Sequence, residues 1–137
     1  MFASSLESLS RELGARLPAM LADLETLGRL ESPTYDKALV DAAQDWVAGR
    51  LESAGAVVER LPQASVGDHL RATWRGSAGG PPVLTVCHVD TVWPAGEVGR
   101  RPFGVQDDGF FYGPGLFDMK AGLIILIHAM EALRNLG

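Results

Sequence analysis

Leucines recur at helical spacing through the first 30 positions: Leu6, Leu9, Leu13 and Leu17, then Leu21, Leu24 and Leu27. Residues three and four apart share one face of a helix, so the run predicts an amphipathic helical segment. Pro18 lacks the amide proton that a helix interior uses, and the pattern therefore predicts two helices broken at that residue. Glu31-Ser32-Pro33-Thr34 reads as a turn. Leu39, Ala43, Trp46, Val47, Leu51 and Ala54 mark the buried stripe of a further helix, ended by Gly55, where a left-handed residue is wanted. Val57–Leu61, Leu70–Trp74 and Val83–Cys87 have strand length, and Gly76-Ser77-Ala78-Gly79-Gly80 predicts a flexible turn between the second and third. Asp107-Asp108-Gly109 predicts a hairpin turn between Val105 and Phe110. Met119–Leu136 is too long for a strand and predicts a helix. Its stretch Leu123–Ile127 is apolar all round and expects cover on both sides.

Helical and strand periods alternate, which places the chain in the α/β class. With 137 residues, 47% of them hydrophobic, and one cysteine, it makes at most one domain and no internal disulfide. A formal net charge of −5 argues against nucleic acid or an anionic membrane surface as a partner. The N-terminus shows no basic region followed by an apolar core, so no signal peptide is expected. The apolar run Leu123–Ile127 is far too short to span a bilayer, and a cytoplasmic protein is expected.

The chemistry sits where the apolar run Val83–Cys87 closes in His88-Val89-Asp90. Residues i and i+2 of a strand share a face, so Asp90 can reach the His88 imidazole. A carboxylate that accepts the proton of one ring nitrogen fixes the tautomer and makes the other nitrogen a better metal ligand. Gly113-Pro114-Gly115-Leu116-Phe117-Asp118 follows, and Asp118 is the candidate oxygen ligand. By itself Asp118 would read equally well as a helix N-cap; the His-x-Asp motif ahead of it favours the ligand. Other residues receive plainer readings. His69 is an exposed strand residue. His128 lies on an apolar helix as a hydrogen-bonded core histidine. Cys87 faces away from His88 and packs in the core.

His88-Val89-Asp90-Thr91-Val92-Trp93-Pro94, Arg101-Pro102-Phe103, and the series from Asp108-Gly109 through Tyr112-Gly113-Pro114-Gly115 to Asp118-Met119-Lys120-Ala121-Gly122 resemble the co-catalytic di-zinc peptidases of the glutamate carboxypeptidase and aminoacylase family. Within it the series is most similar to the carboxypeptidase G-type glutamate carboxypeptidases. The resemblance runs from about Leu17 to the end. It implies a three-layer α/β/α domain with a mixed sheet. It also implies His88 as a ligand of one zinc, Asp118 as the carboxylate bridging two, Asp90 as the catalytic-site residue that orients His88, and a cis peptide between Asp118 and Met119.

The family's consecutive glutamate pair, further carboxylate ligand and late histidine have no match in these 137 residues. After Asp118 the only acidic residue is Glu131 and the only histidine His128, and Glu131 lies about 20 Å further along its helix. The chain is therefore expected to be the N-terminal portion of the catalytic domain, without the remaining catalytic segments and the inserted dimerisation domain. Such a fragment should bind zinc weakly, show no turnover by itself, and leave Leu123–Ile127 exposed. Zn2+ is the expected metal, with Co2+ or Mn2+ able to use similar ligands. The resemblance implies a small peptide or N-acyl amino acid as substrate, with a C-terminal glutamate favoured, and a homodimer for the complete protein. An aminoacylase or deacetylase of the same family, or a non-catalytic assembly module, are the alternatives.

Overall fold

The structure, a computed structural model, describes residues 2–76 and 80–136. The expected turn at Ser77–Gly79 lies outside the described residues. Among the described residues, three α-helices and two antiparallel strand pairs make an α/β chain. In order they are α1 (Phe2–Arg29), α2 (Lys37–Ser53), β1 (Val57–Leu61), β2 (His69–Thr73), β3 (Gly104–Val105), β4 (Phe111–Tyr112) and α3 (Ala121–Leu136). No described helix is long and apolar enough to cross a membrane.

The predicted break at Pro18 does not occur, because α1 runs through it for 28 residues. Proline at this position deprives the Gly14 carbonyl of its helical partner. Gly14 and Pro18 are both exposed, so water can take the place of the lost bond. The leucine stripe is buried only toward the end of the helix: Leu6 and Leu17 are exposed, whereas Leu27 is fully buried.

Asp36 opens α2 by accepting the amide proton of Leu39 at 3.1 Å. The buried face is Val40, Ala43, Val47 and Leu51, so Val40 takes the place expected for Leu39. Gly55 follows with φ of 91°, as its position predicts. β1 then pairs with β2 in the register Val57↔Thr73 to Leu61↔His69. Asp68 fastens the connection between them, accepting from Gln63 N at 2.9 Å and Lys37 Nζ at 2.6 Å. The Lys37 ammonium, followed by the Gln63 amide, holds this carboxyl down at about 2.

Val83–Cys87 is the main departure from the expected strands. No backbone hydrogen bond joins it to any described residue, and Val83, Leu84 and Val86 are exposed. A cavity of about 610 Å³ separates it from β2, floored by α2 and by Leu123 and Leu126. Apolar, β-branched composition suits a strand, but a strand exists only where a neighbour supplies the ladder. Cys87 does pack against the core, as expected, and burial raises its thiol pKa.

The Asp107-Asp108-Gly109 hairpin forms between β3 and β4. Beyond it, α3 starts at Ala121 rather than Met119, since Asp118 and Met119 have non-helical backbone angles and the peptide between them is cis. α3 packs against α1 and the core, and the expected exposure of Leu123–Ile127 is largely overturned. Leu123, Ile124 and Ile127 are buried, and of this stretch only Ile125 is an exposed large hydrophobic. The cover comes from the end of α1 and from α2, through Leu27, Val40, Val47 and Leu51.

Between α1, α2 and α3 lies a charged seam. His128 is 2% exposed and its Nε2 lies 2.9 Å from Asp23 Oδ2. Arg50 donates to both Asp23 and Glu131, at 2.7 and 2.9 Å, and Arg16 donates to Glu131 at 2.6 Å. His128 is the hydrogen-bonded core histidine its helix predicts, and Glu131 is committed to two arginines.

Candidate metal centre

The extended segment ending in His88 and the turn before α3 meet at the candidate site. Gly115 stands at φ of 71°, and a Cβ there would lie 2.4 Å from Thr91 Cγ2. Only a glycine permits both the left-handed turn and this close approach. The turn therefore lies close against Thr91 and carries Asp118 to His88.

His88 Nε2 is 3.1 Å from Asp118 Oδ1, which is where spacing along the chain could not by itself have placed it. Asp118 makes no helix cap; its side chain is 82% exposed and faces the imidazole. The other ring nitrogen, Nδ1, lies 3.0 Å from the backbone carbonyl of Asp90 and 3.3 Å from its Oδ1. The sequence expectation assigned that contact to the Asp90 carboxylate alone, whereas the closer acceptor is the main-chain oxygen of the same residue. Burial works against protonating His88, but the Asp90 carbonyl, Asp118 and the two carboxylate charges outweigh it and raise its pKa from the ordinary histidine value.

The neighbourhood contains groups that sequence reading passed over. Ser32, 1% exposed, donates through Oγ to Val89 O at 2.6 Å, and its own carbonyl accepts from Thr91 N at 2.8 Å. Thr34 N donates to Thr91 O at 3.0 Å, and Thr34 Oγ1 donates to Asp90 Oδ2 at 2.7 Å. Ser32-Pro33-Thr34 was legible only as a turn, because its partners lie more than 50 residues away.

Lys120 is likewise hidden in the sequence. It is 1% exposed and donates to Leu30 O at 2.6 Å and Leu27 O at 3.2 Å, so it ties the turn bearing Asp118 to the last carbonyls of α1. A cation there also complements the negative end of the helix. Burial lowers its pKa to about 8, with Glu31 opposing the fall.

The donor chemistry fits a metal ion in part. Two ligands at about 2.0–2.1 Å in tetrahedral array stand about 3.3 Å apart, close to the separation of Nε2 and Oδ1. A proton bound to Nε2 and directed at Asp118 occupies the line a metal would take. Among the described residues, however, no group of three or more histidine, cysteine or carboxylate side chains is arranged to hold an ion. The cluster contributes two donors where a stable zinc site uses three or four.

Comparison with known proteins gives a consistent result. Residues 84–137 match the model of peptidase family M20/M25/M40. Carboxypeptidase G2 of Pseudomonas sp. (strain RS-16) is 34% identical over 122 residues, which cover 88% of this chain and 29% of that protein. Succinyl-diaminopimelate desuccinylase of Methylorubrum extorquens (strain PA1) is 35% identical over 118 residues, 82% of this chain and 30% of that protein. The N-fatty-acyl-amino acid synthase/hydrolase of Danio rerio is 37% identical over 73 residues, half of this chain and 14% of that protein. The chain thus spans less than a third of the length of these curated relatives.

Proposed function

From the premise that the chain belongs to peptidase family M20/M25/M40, a family of metal-dependent hydrolases, we propose that it supplies one part of an amide-hydrolase metal centre. In this reading His88 and Asp118 are metal ligands and Asp90 orients His88. The observation that carries it is the 3.1 Å approach of His88 Nε2 to Asp118 Oδ1, with Nδ1 directed at Asp90.

The chain's own residues perform the preparation. Nδ1–H donates to Asp90, which leaves the Nε2 lone pair free for the metal and fixes the ring plane. Asp118, exposed and without another partner among the described residues, offers both carboxylate oxygens, one toward His88 and one away. A metal bound there, most simply Zn2+ and by similar ligand chemistry Co2+ or Mn2+, supplies Lewis-acid polarisation of the scissile carbonyl. The general base and remaining ligands are assigned to polypeptide outside these 137 residues. Glu131, held by Arg16 and Arg50, cannot serve.

The glutamate carboxypeptidase reading is supported by the similarity to carboxypeptidase G2, and makes a peptide with a C-terminal glutamate the substrate. The similarity to succinyl-diaminopimelate desuccinylase favours a second reading, removal of an N-acyl group from an amino acid. A homodimeric, cytoplasmic complete protein belongs to the same proposal.

Zinc titration of the chain, followed by the 15N resonances of the His88 imidazole, tests the site. Weak binding that moves His88 and disappears in His88→Ala is expected, with no amide hydrolysis by the chain alone. Tight stoichiometric binding that survives His88→Ala would refute the ligand assignment. With the complete polypeptide, release of C-terminal glutamate against release of succinate separates the two substrate readings.

A further inference from the structure

We infer that Thr34 is a positioning residue of the metal centre, acting on His88 through the Asp90 carboxylate; this rests on the metal-site reading above. Asp90 has two carboxylate oxygens with different partners. Oδ2 accepts the Thr34 hydroxyl at 2.7 Å, and Oδ1 stands 3.3 Å from His88 Nδ1. A carboxylate turns about a single bond, and that side chain is one-third exposed. Without a second anchor it can rotate toward water. The Thr34 bond stops that rotation at the angle that leaves Oδ1 beside the imidazole.

Thr34 is itself rigidly placed. Its amide donates to Thr91 O, the Thr91 amide donates to Ser32 O, and Pro33 and Thr91 form a parallel bridge. Ser32 Oγ adds the bond to Val89 O. The Ser32–Thr34 segment therefore grips Val89–Thr91 from the side, and its hydroxyls reach both the backbone and the carboxylate that stands beside His88 Nδ1. Thr34 Oγ1 has a second acceptor in Thr91 O at 3.1 Å, but its one proton favours the shorter, charge-assisted bond to Asp90.

The consequence is measurable as metal affinity. Loss of a partner behind a metal-ligating histidine costs about 10–100-fold in affinity. Thr34 acts one step further back, so the low end of that range, about 10-fold, is expected for Thr34→Val. The chain is titrated with Zn2+ while the His88 imidazole 15N signals are followed, for the wild type, Thr34→Val, Thr34→Ser, Asp90→Ala and the Thr34→Val/Asp90→Ala double variant, with far-UV circular dichroism as the check on folding. Thr34→Val should weaken zinc about 10-fold, Thr34→Ser should restore it, and the Thr34→Val effect should vanish when Asp90 is already alanine. If the valine variant fails to fold, Thr34→Ala decides in the same way, since it also keeps the backbone bond to Thr91. Affinity unchanged by loss of the hydroxyl, or a loss that persists in the Asp90→Ala background, overturns the role of Thr34 while leaving the metal site intact. Zinc that fails to move His88 in the wild type overturns the metal site itself, and the role of Thr34 with it.

Discussion

Ile127→Ala tests whether α3 is covered as described. Ile127 is fully buried, beside Leu123 and Ile124 in the shared core. The substitution removes three carbon groups, worth about 0.8 kcal/mol each in transfer from water, or about 2.4 kcal/mol. A residual void of about 50 Å³ adds about 1 kcal/mol at roughly 24 cal/mol per Å³. The expected loss is therefore about 3–4 kcal/mol, a large share of the roughly 5–15 kcal/mol that holds a domain folded. Urea unfolding monitored by circular dichroism reads this as a fall in midpoint of about 1–4 M, for slopes of about 1–3 kcal/mol/M. Ile125→Ala is the matched control. Ile125 lies on the same helix but is 59% exposed, so its removal should change stability by less than about 0.5 kcal/mol. Equal shifts for the two variants would mean that α3 has no covered face, and that its packing against α1 and α2 is not what stabilises it.

Asp68 makes stability pH-dependent in a defined direction. Its carboxyl titrates at about 2, below the usual 3.8, chiefly because of Lys37. The stabilisation is present above pH 4 and disappears as the pH falls toward 2. The urea midpoint should fall more steeply between pH 5 and pH 2.5 in the wild type than in Asp68→Asn, and parallel curves would mean that the Lys37–Asp68 pair does not stabilise the fold. Gly115→Ala puts a Cβ at φ of 71° and 2.4 Å from Thr91 Cγ2; it should cost about 1–3 kcal/mol and move the His88 ring resonances as Asp118 is displaced. A neutral Gly115→Ala with unchanged His88 signals would show that the turn does not need that close approach.

Features set by neighbouring residues were readable from the sequence. Val57–Leu61 has the same limits as the observed strand, the Asp107-Asp108-Gly109 hairpin is where its turn residues place it, and Gly55 follows α2 with positive φ. The meeting of His88 with Asp118 was anticipated from the two motifs and their resemblance, although the bond to the Asp90 main chain was not. What escaped was decided by distant partners or by water. Val83–Cys87 has the composition of a strand and no described neighbour to pair with. Pro18 stays within α1 because the carbonyl it deprives is exposed. The cover over Leu123–Ile127 comes from α1 and α2, nearly a hundred residues earlier in the case of Leu27.

The bond from Lys120 to the end of α1 separates motif from site. The match to the family model covers residues 84–137, yet the turn carrying Asp118 is tied to Leu27 and Leu30, 93 and 90 positions earlier in the chain. Asp90 is held from a distance of 56 positions by Thr34. Contacts of such long range must close large loops before they return any energy. The spacing of His88 and Asp118 therefore depends on contacts made by the first 34 residues of the chain. The end of α1 is thus the frame against which the turn carrying Asp118 is set.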